Sequence, residues 1–303
     1  MKKMLFVFNP NSGKAQIKNQ LMKIIQVFSD SGYEVTVYPT KAPMDGYQHI
    51  VDSEGRYDVI ACSGGDGTLN ETVAAILKYS GNKPPIGYIP SGTTNDFAAS
   101  LGIPRNMVKA AAYIADGELF PCDVGMMNDQ RSFNYVAAFG AFTRVSYGTP
   151  QNLKNVFGHQ AYVLEAVKSL STLKPEYMRV YSDEIETEGN FVYGMISNTN
   201  SVGGIKNLTG NDVDLQDGLF EVTLIRELNN PLAVQSLINA FLTKDLSKCD
   251  WVCTWKTKKV RFESPQPVSW TLDGEFGGEH KDISFSVKEK AVEFLIRGIS
   301  EQN

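Results

Sequence analysis

At 303 residues with a formal net charge of −5, the chain is long for one hydrophobic core and suits two domains, since single cores stop growing at roughly 250–300 residues. The acidic balance argues against a nucleic-acid binder, which is usually basic, and leaves room for small anions held locally. No apolar run approaches the roughly 18 residues of a membrane-spanning helix, so a lipid could be reached only from the membrane surface.

Met4 to Phe8 reads as a buried strand. It imitates the apolar core of a signal peptide but stops too soon at Asn9-Pro10, which points to a cytoplasmic chain. The loop Asn9-Pro10-Asn11-Ser12-Gly13-Lys14 follows, and Leu21, Ile24, Ile25 and Phe28 recur at helical spacing. Gly13-Lys14 invites a Walker A reading, yet Ala15 stands where Ser or Thr belongs and Phe8 where the first glycine belongs. A solvated turn and an anion-binding loop both stay open. After Gly32 comes a strand, Tyr33 to Tyr38, then a polar helical piece near Tyr47 to Ser53.

The strand Val59-Ile60-Ala61-Cys62 feeds Ser63-Gly64-Gly65-Asp66-Gly67-Thr68, and Leu69, Val73, Ile76 and Leu77 then follow a helical pattern. Glycines in such a turn let backbone N–H groups approach a phosphate with no Cβ in the way. Thr68 and Glu71 stand in the T-x-x-E relation of a capping box, which predicts a helix start just beyond the turn. The dinucleotide fingerprint fails at Asn70, where a third glycine belongs, and a Walker A loop fails at Asp66 and Thr68. A capped turn and a phosphate loop both remain. Pro85 to Ile89 forms the next strand, ending in Ser91-Gly92-Thr93-Thr94-Asn95-Asp96 before a helical start at Phe97-Ala98-Ala99; Met107, Ala110, Ala111 and Ile114 line a further helix.

Alternating strands and helices imply a parallel sheet. Strand C-terminal ends then share one edge, so the loops at 9–14, 63–68 and 91–96 are expected above one crevice. Small polar loops with two aspartates suit a nucleotide polyphosphate and its Mg²⁺, although βα loops are short and polar in any case.

Beyond Pro121 the texture turns to short alternating stretches, Ser132 to Phe142, Tyr177 to Tyr181, Phe191 to Ser197, Phe220 to Ile225 and Lys259 to Glu263, which predict a second, mainly antiparallel domain. Helical stripes near His159 to Leu170 and Pro231 to Leu242 read as core packing. Cys62, Cys122, Cys249 and Cys253 lack zinc spacing and read as free thiols. His49, His159 and His280 carry no pattern. In Asn211-Asp212-Val213-Asp214-Leu215-Gln216-Asp217-Gly218, an EF-hand fails at Asp217 and Thr223. A polar turn is the plain reading, with a hard cation shared by Asp214 and Asp217 as the other. Val268, Trp270 and Leu272 alternate into Asp273-Gly274-Glu275, a hairpin-turn sequence.

Taken in order, Asn9 to Lys14, Gly64-Gly65-Asp66-Gly67-Thr68 with Asn70-Glu71, Gly92-Thr93-Thr94-Asn95-Asp96-Phe97-Ala98, Asp214 with Asp217-Gly218-Leu219, and Asp273-Gly274-Glu275 resemble the soluble diacylglycerol kinase family. That family includes sphingosine, ceramide and bacterial phospholipid kinases, and NAD kinases and phosphofructokinases look similar at the first glycine-aspartate motif. The resemblance covers almost the whole chain. It implies an α/β parallel-sheet, Rossmann-like N-terminal domain (residues 1–121, rejoined by about 295–303) and a mainly antiparallel β-sandwich lipid-substrate domain (122–294), with the site in the cleft between.

It also implies ATP held by Asn9, Ser12, Gly13, Lys14, Gly64, Gly65, Asp66, Gly67, Thr68, Glu71, Gly92, Thr93, Thr94, Asn95 and Asp96, with Asp66 and Asp96 in the Mg²⁺ network. Asp273 becomes the general base, and Asp214, Asp217 and the Leu219 carbonyl a structural Mg²⁺ site. Where the family often carries arginine after Phe-Ala, this chain has Ala99, with Arg105 as the candidate replacement. The expectation is an ATP- and Mg²⁺-dependent lipid kinase, acting on diacylglycerol before undecaprenol, a sphingoid base, phosphatidylglycerol or NAD. A non-catalytic nucleotide-binding regulator is the reading from another class. The enzyme would be cytoplasmic, peripheral at the inner membrane surface, without nucleic acid, and free to form a homodimer.

Overall fold

A computed structural model describes residues 1–13, 15–93, 95–140, 167, 170, 172–199, 201–202, 205–206, 213–243 and 245–297, with backbone alone at 201, 202, 205, 206 and 247. Lys14, Thr94, Phe142, Asn211 and Asp212 lie outside the described residues, as does the stripe at 159–170 apart from Val167 and Leu170, which are helical and buried. The chain divides into two compact units, Met1–Val124 with Lys288–Asn303, and Gly125–Val287.

The first unit alternates β1 (Lys2–Phe8), α1 (Ile17–Asp30), β2 (Tyr33–Pro39), α2 (Asp45–Val51), β3 (Val59–Gly64), α3 (Asp66–Leu77), β4 (Ile86–Pro90), α4 (Asp96–Ser100) and α5 (Met107–Ala115). The strands pair in parallel in the order β4-β3-β1-β2. β3 and β4 are buried along their whole length, and so is β1 from Met4 on. That is why they read as unbroken apolar runs instead of alternating ones. On one turn-by-turn stripe α1 buries Ile17, Ile24 and Phe28, and Phe28 meets Phe6 edge-on with ring centroids 5.9 Å apart. The register aligns Phe8 with Ser63 and Gly64 with Pro90, so β1, β3 and β4 all end at one edge.

The second unit holds β6 (Arg131–Phe133), β7 (Val136–Gly140), β8 (Glu176–Ser182), β9 (Glu186–Ser197), the small hairpin β10 (Ser201–Val202) and β11 (Ile205–Lys206), β12 (Phe220–Arg226), α6 (Pro231–Thr243), β13 (Val252–Thr257) and β14 (Lys259–Leu272). β5 (Glu118–Met127) enters it, and β15 (Glu275–Ile296) leaves it. All strand pairs within it are antiparallel, in the order β13-β12-β9-β7-β14-β15 with β8 beside both β9 and β14. Trp270 centres its core, 5.0 Å from Phe139, 5.0 Å from Phe262 and 4.8 Å from Phe285 between ring centroids. Tilted and edge-on aromatic pairs of this kind add stabilisation beyond their buried area.

All four cysteines are free, with Cys62, Cys122 and Cys249 buried; burial pushes the Cys62 thiol up to about 12. Among the described residues no helix is long and apolar enough to cross a membrane.

Candidate functional site

Three loops meet where β1, β3 and β4 end in the first unit. The Asn9 N–H donates to the Ser63 carbonyl at 2.9 Å, and the Ser91 N–H donates to the Gly64 carbonyl at 2.8 Å. Contact is close enough to demand glycine on both sides. Gly13 has φ +54°, and a Cβ on it would overlap the Ser91 carbonyl oxygen. A Cβ on Gly92 would sit 2.6 Å from the Gly65 Cα. The loops after the three strands therefore form one backbone surface, poor in side chains and adjacent to the start of α3. Such a surface offers N–H groups and a helix N-terminus to an anion.

Tyr88, in the middle of β4, ties this surface from beneath. Its hydroxyl lies 3.3 Å from the Gly64 carbonyl and 3.4 Å from Asn95 Oδ1. Burial, and then the charge of Asp66, raise its pKa well above the ordinary phenol value, so it stays a neutral donor. Sequence reasoning passed over Tyr88. The available signal was a phenol inside the apolar run Ile86-Gly87-Tyr88-Ile89, since a buried tyrosine hydroxyl normally finds a polar partner.

The structure redistributes several of the sequence-derived roles. Asp66 is the first residue of α3 and Gly65 its N-cap, in extended conformation. The capping box expected at Thr68 and Glu71 is therefore not formed: Thr68 is already helical, and its carbonyl accepts from the Thr72 hydroxyl at 2.9 Å. Glu71 Oε1 accepts from the Met44 N–H at 2.9 Å, ahead of α2. Asn95, left-handed at φ 53°, pairs both ends of its amide with Gly92: Oδ1 accepts from the Gly92 N–H at 2.9 Å and Nδ2 donates to its carbonyl at 2.8 Å. Asn9 Oδ1 accepts from the Asn11 N–H at 2.9 Å. These side chains shape the loops. Ser12 is buried and Thr93 exposed. Asp96 begins α4 and is buried. Arg105 and Ala99 are both exposed. Asp66 and Asp96, hard oxygen donors at helix starts beside the glycine surface, fit Mg²⁺ carried in on a polyphosphate.

In the second unit, Asp273 and Gly274 are the two residues between β14 and β15, at φ 50° and 84°, with Leu272 paired to Glu275. Two left-handed residues in a two-residue connection are the signature of a type I′ hairpin, the turn the Asp-Gly sequence predicts. The Asp273 carboxylate reaches back along the chain: Oδ2 accepts from the Asn134 N–H at 2.7 Å, and Oδ1 from the Tyr135 and Val136 N–H groups at 3.0 and 3.1 Å. Its own N–H donates to the Val136 carbonyl at 2.8 Å. Three amides at the start of β7 thus hold the carboxylate, and the side chain is fixed in direction.

The acidic stretch before β12 is tied to its own backbone and to a lysine. Asp214 is exposed, and its Oδ1 accepts from the Gln216 N–H at 3.0 Å. Asp217 Oδ1 accepts from the Leu219 N–H at 3.0 Å, so it is Leu219's amide that Asp217 engages. Asp217 Oδ2 instead meets the Lys256 ammonium at 3.0 Å. Lys256 also lies 3.3 Å from Glu221 Oε1, its cross-strand partner between β13 and β12. Glu221 is only 7% exposed, and burial, against the opposing pull of Lys256, lifts its pKa to about 7. For Lys256, burial works against the charged form, but Asp217 and Glu221 outweigh it and leave its pKa raised. Among the described residues no group of three or more His, Cys, Asp or Glu side chains is arranged to hold a metal. Neither Lys256 nor Glu221 figured among the expected site residues, because their meaning depends on strand register.

Comparison with known proteins also splits the chain shortly after residue 124, although the second match runs on into the returning C-terminal stretch. Residues 3–127 match the diacylglycerol kinase catalytic domain, and residues 136–295 match the YegS C-terminal NAD kinase beta sandwich-like domain. The chain is 33% identical over 280 residues to a diacylglycerol kinase of Bacillus subtilis strain 168, covering 92% of this chain and 91% of that one. It is 32% identical over 303 residues to a diacylglycerol kinase of Staphylococcus saprophyticus, covering 99% and 98%. In fold it is similar to the crystal structure of a diacylglycerol kinase from Bacillus anthracis, with a TM-score of 0.78 at 22% identity over 98% of this chain and 97% of that one.

Proposed function

Because the chain belongs to the diacylglycerol kinase family, and with it to the phosphotransferases that act on an alcohol group, we propose that it transfers the terminal phosphoryl group of ATP to the free hydroxyl of diacylglycerol, giving phosphatidic acid. The observation that carries this reading is the glycine surface made by the loops after β1, β3 and β4. Phosphoryl transfer needs positioning and charge neutralisation more than covalent chemistry, and a surface of backbone amides beside a helix start supplies both. Asp66 and Asp96 are the residues that would hold Mg²⁺ carried in with the nucleotide, and the ion would supply neutralisation of the charge that develops in the transfer.

Asp273 is the residue proposed to receive the acceptor hydroxyl. Its three amide partners hold the carboxylate in a fixed direction, which suits orienting a hydroxyl and taking its proton late. A loose transition state requires little more, since the nucleophile is barely deprotonated until the phosphoryl group has moved. The lipid would be met peripherally at the inner face of the membrane, by an enzyme otherwise cytoplasmic.

Labelled ATP with Mg²⁺, offered against diacylglycerol, undecaprenol, sphingosine, phosphatidylglycerol and NAD, tests the assignment. Label is expected in phosphatidic acid. Label in another lipid moves the acceptor, and label in none of them despite measurable ATP binding sinks the kinase reading.

A further inference from the structure

The family resemblance points to a structural divalent ion at Asp214, Asp217 and the Leu219 carbonyl. In this chain that place is contested by a cation of its own. Lys256 stands directly opposite Glu221 across the β12–β13 pair, so both side chains share one face of the sheet, and Asp217 sits in the turn that leads into β12. The Lys256 ammonium is 3.0 Å from Asp217 Oδ2 and 3.3 Å from Glu221 Oε1. Its side chain is 37% exposed and that of Glu221 9% exposed. An acidic pair so placed needs a compensating charge: a carboxylate held out of water is costly unless it is paired.

We propose that Lys256 is the resident cation of this acidic turn, its ammonium balancing Asp217 and Glu221 in the position where a divalent ion would otherwise bind, so that the second unit keeps its fold with no metal there. Two features carry the inference. Asp217, the shared ligand of the expected site, has one oxygen on the lysine and the other on the Leu219 N–H. A divalent ion beside it would also have to sit next to a fixed positive charge, and at about 4 Å two such charges repel strongly unless water intervenes. Glu221, for its part, is a buried carboxylate that the expected ligand set does not include, and the ammonium is the charge that meets it.

The test is the melting temperature of the full chain, without nucleotide, in EDTA and in millimolar MgCl₂. For the wild type the two values are expected to agree within about 1 °C. Lys256→Met in EDTA is expected to melt roughly 4–8 °C lower, since it leaves the buried Glu221 carboxylate without its compensating charge while the half-exposed lysine itself was only partly desolvated. Millimolar MgCl₂ should restore most of that loss, and the restoration should vanish when Asp217→Asn is added. Lys256→Arg should behave as wild type.

A wild-type melting temperature that climbs by several degrees with MgCl₂ and loses the climb in Asp217→Asn overturns the proposal, as does a Lys256→Met protein that melts like wild type in EDTA or gains nothing from MgCl₂. If Lys256→Met does not fold, Lys256→Met with Glu221→Gln removes the buried charge together with its partner and is expected to fold. Failure of that double variant would place the role of Lys256 in packing and also overturn the proposal. Melting is read without turnover, so the result stands apart from the kinase assignment.

Discussion

Asp273 is a structural residue for which a chemical role is proposed as well. Its left-handed backbone makes the I′ turn, and its carboxylate gathers three consecutive amides at the start of β7. Asp273→Asn keeps the shape but presents an amide NH₂ to at least one N–H that now donates, leaving a buried donor unmatched at a cost of about 1–3 kcal/mol. The substitution also removes the proposed proton acceptor. Turnover on the lipid is therefore expected to fall by roughly 10²- to 10⁴-fold, with ATP affinity unchanged, when both are measured well below the lowered melting temperature. Turnover equal to wild type would take Asp273 out of the base role and leave it a turn residue.

At the scale of elements, the proposed nucleotide surface is made by loops touching loops, so its weakest point is a glycine that another loop's backbone crowds. Gly92→Ala would bring a methyl to 2.6 Å from the Gly65 Cα and 2.8 Å from Asn95 Oδ1. The backbone must part to admit it, at about 1–3 kcal/mol. Parting the 91–93 loop from Gly65 displaces the backbone N–H groups proposed to meet the phosphates and is expected to lower ATP affinity by roughly 10- to 100-fold, which isothermal calorimetry with an ATP analogue and Mg²⁺ would register. Undiminished affinity would separate the 91–93 loop from the nucleotide. These loops were legible in the sequence because their cause is local: apolar run, glycine turn, helical spacing. The start of α3 was misplaced by the T-x-x-E signal because Glu71 is taken by Met44, 27 positions away. β15 was legible only as the second arm of the Asp-Gly hairpin, with its length unread. Its 22 residues include Lys281, Asp282, Lys288, Glu289 and Lys290, and a half-exposed strand carrying that many charges has too little periodic contrast to stand out. Lys256 and Tyr88 were illegible for a different reason, since each acquires its role from a partner that only strand register brings opposite.

At the scale of the whole molecule, the end of the chain belongs to the unit where the chain begins. The last stretch of β15 pairs Phe294 with Ile86 in parallel, sets its ring 5.4 Å from that of Phe97, and is pinned where the Lys290 N–H donates to Asp123 Oδ1 at 2.7 Å. Val292, Phe294, Leu295 and Ile296 are all buried. Each such side chain contributes about 1.5–3 kcal/mol on burial, so the four together rival the roughly 5–15 kcal/mol that holds a typical domain folded. The nucleotide surface has no side chains of its own from this segment, yet β4, which carries the 91–93 loop, leans on it. A chain ending at Val287 is therefore expected to lose ATP binding and the cooperative melting of the first unit, while Phe294→Ala, at about 3–5 kcal/mol, should leave a folded protein with a depressed melting temperature and ATP affinity preserved below it. Calorimetric melting of both variants beside ATP titration checks this. Full ATP affinity in the protein ending at Val287 would show that β4 stands without its last neighbour.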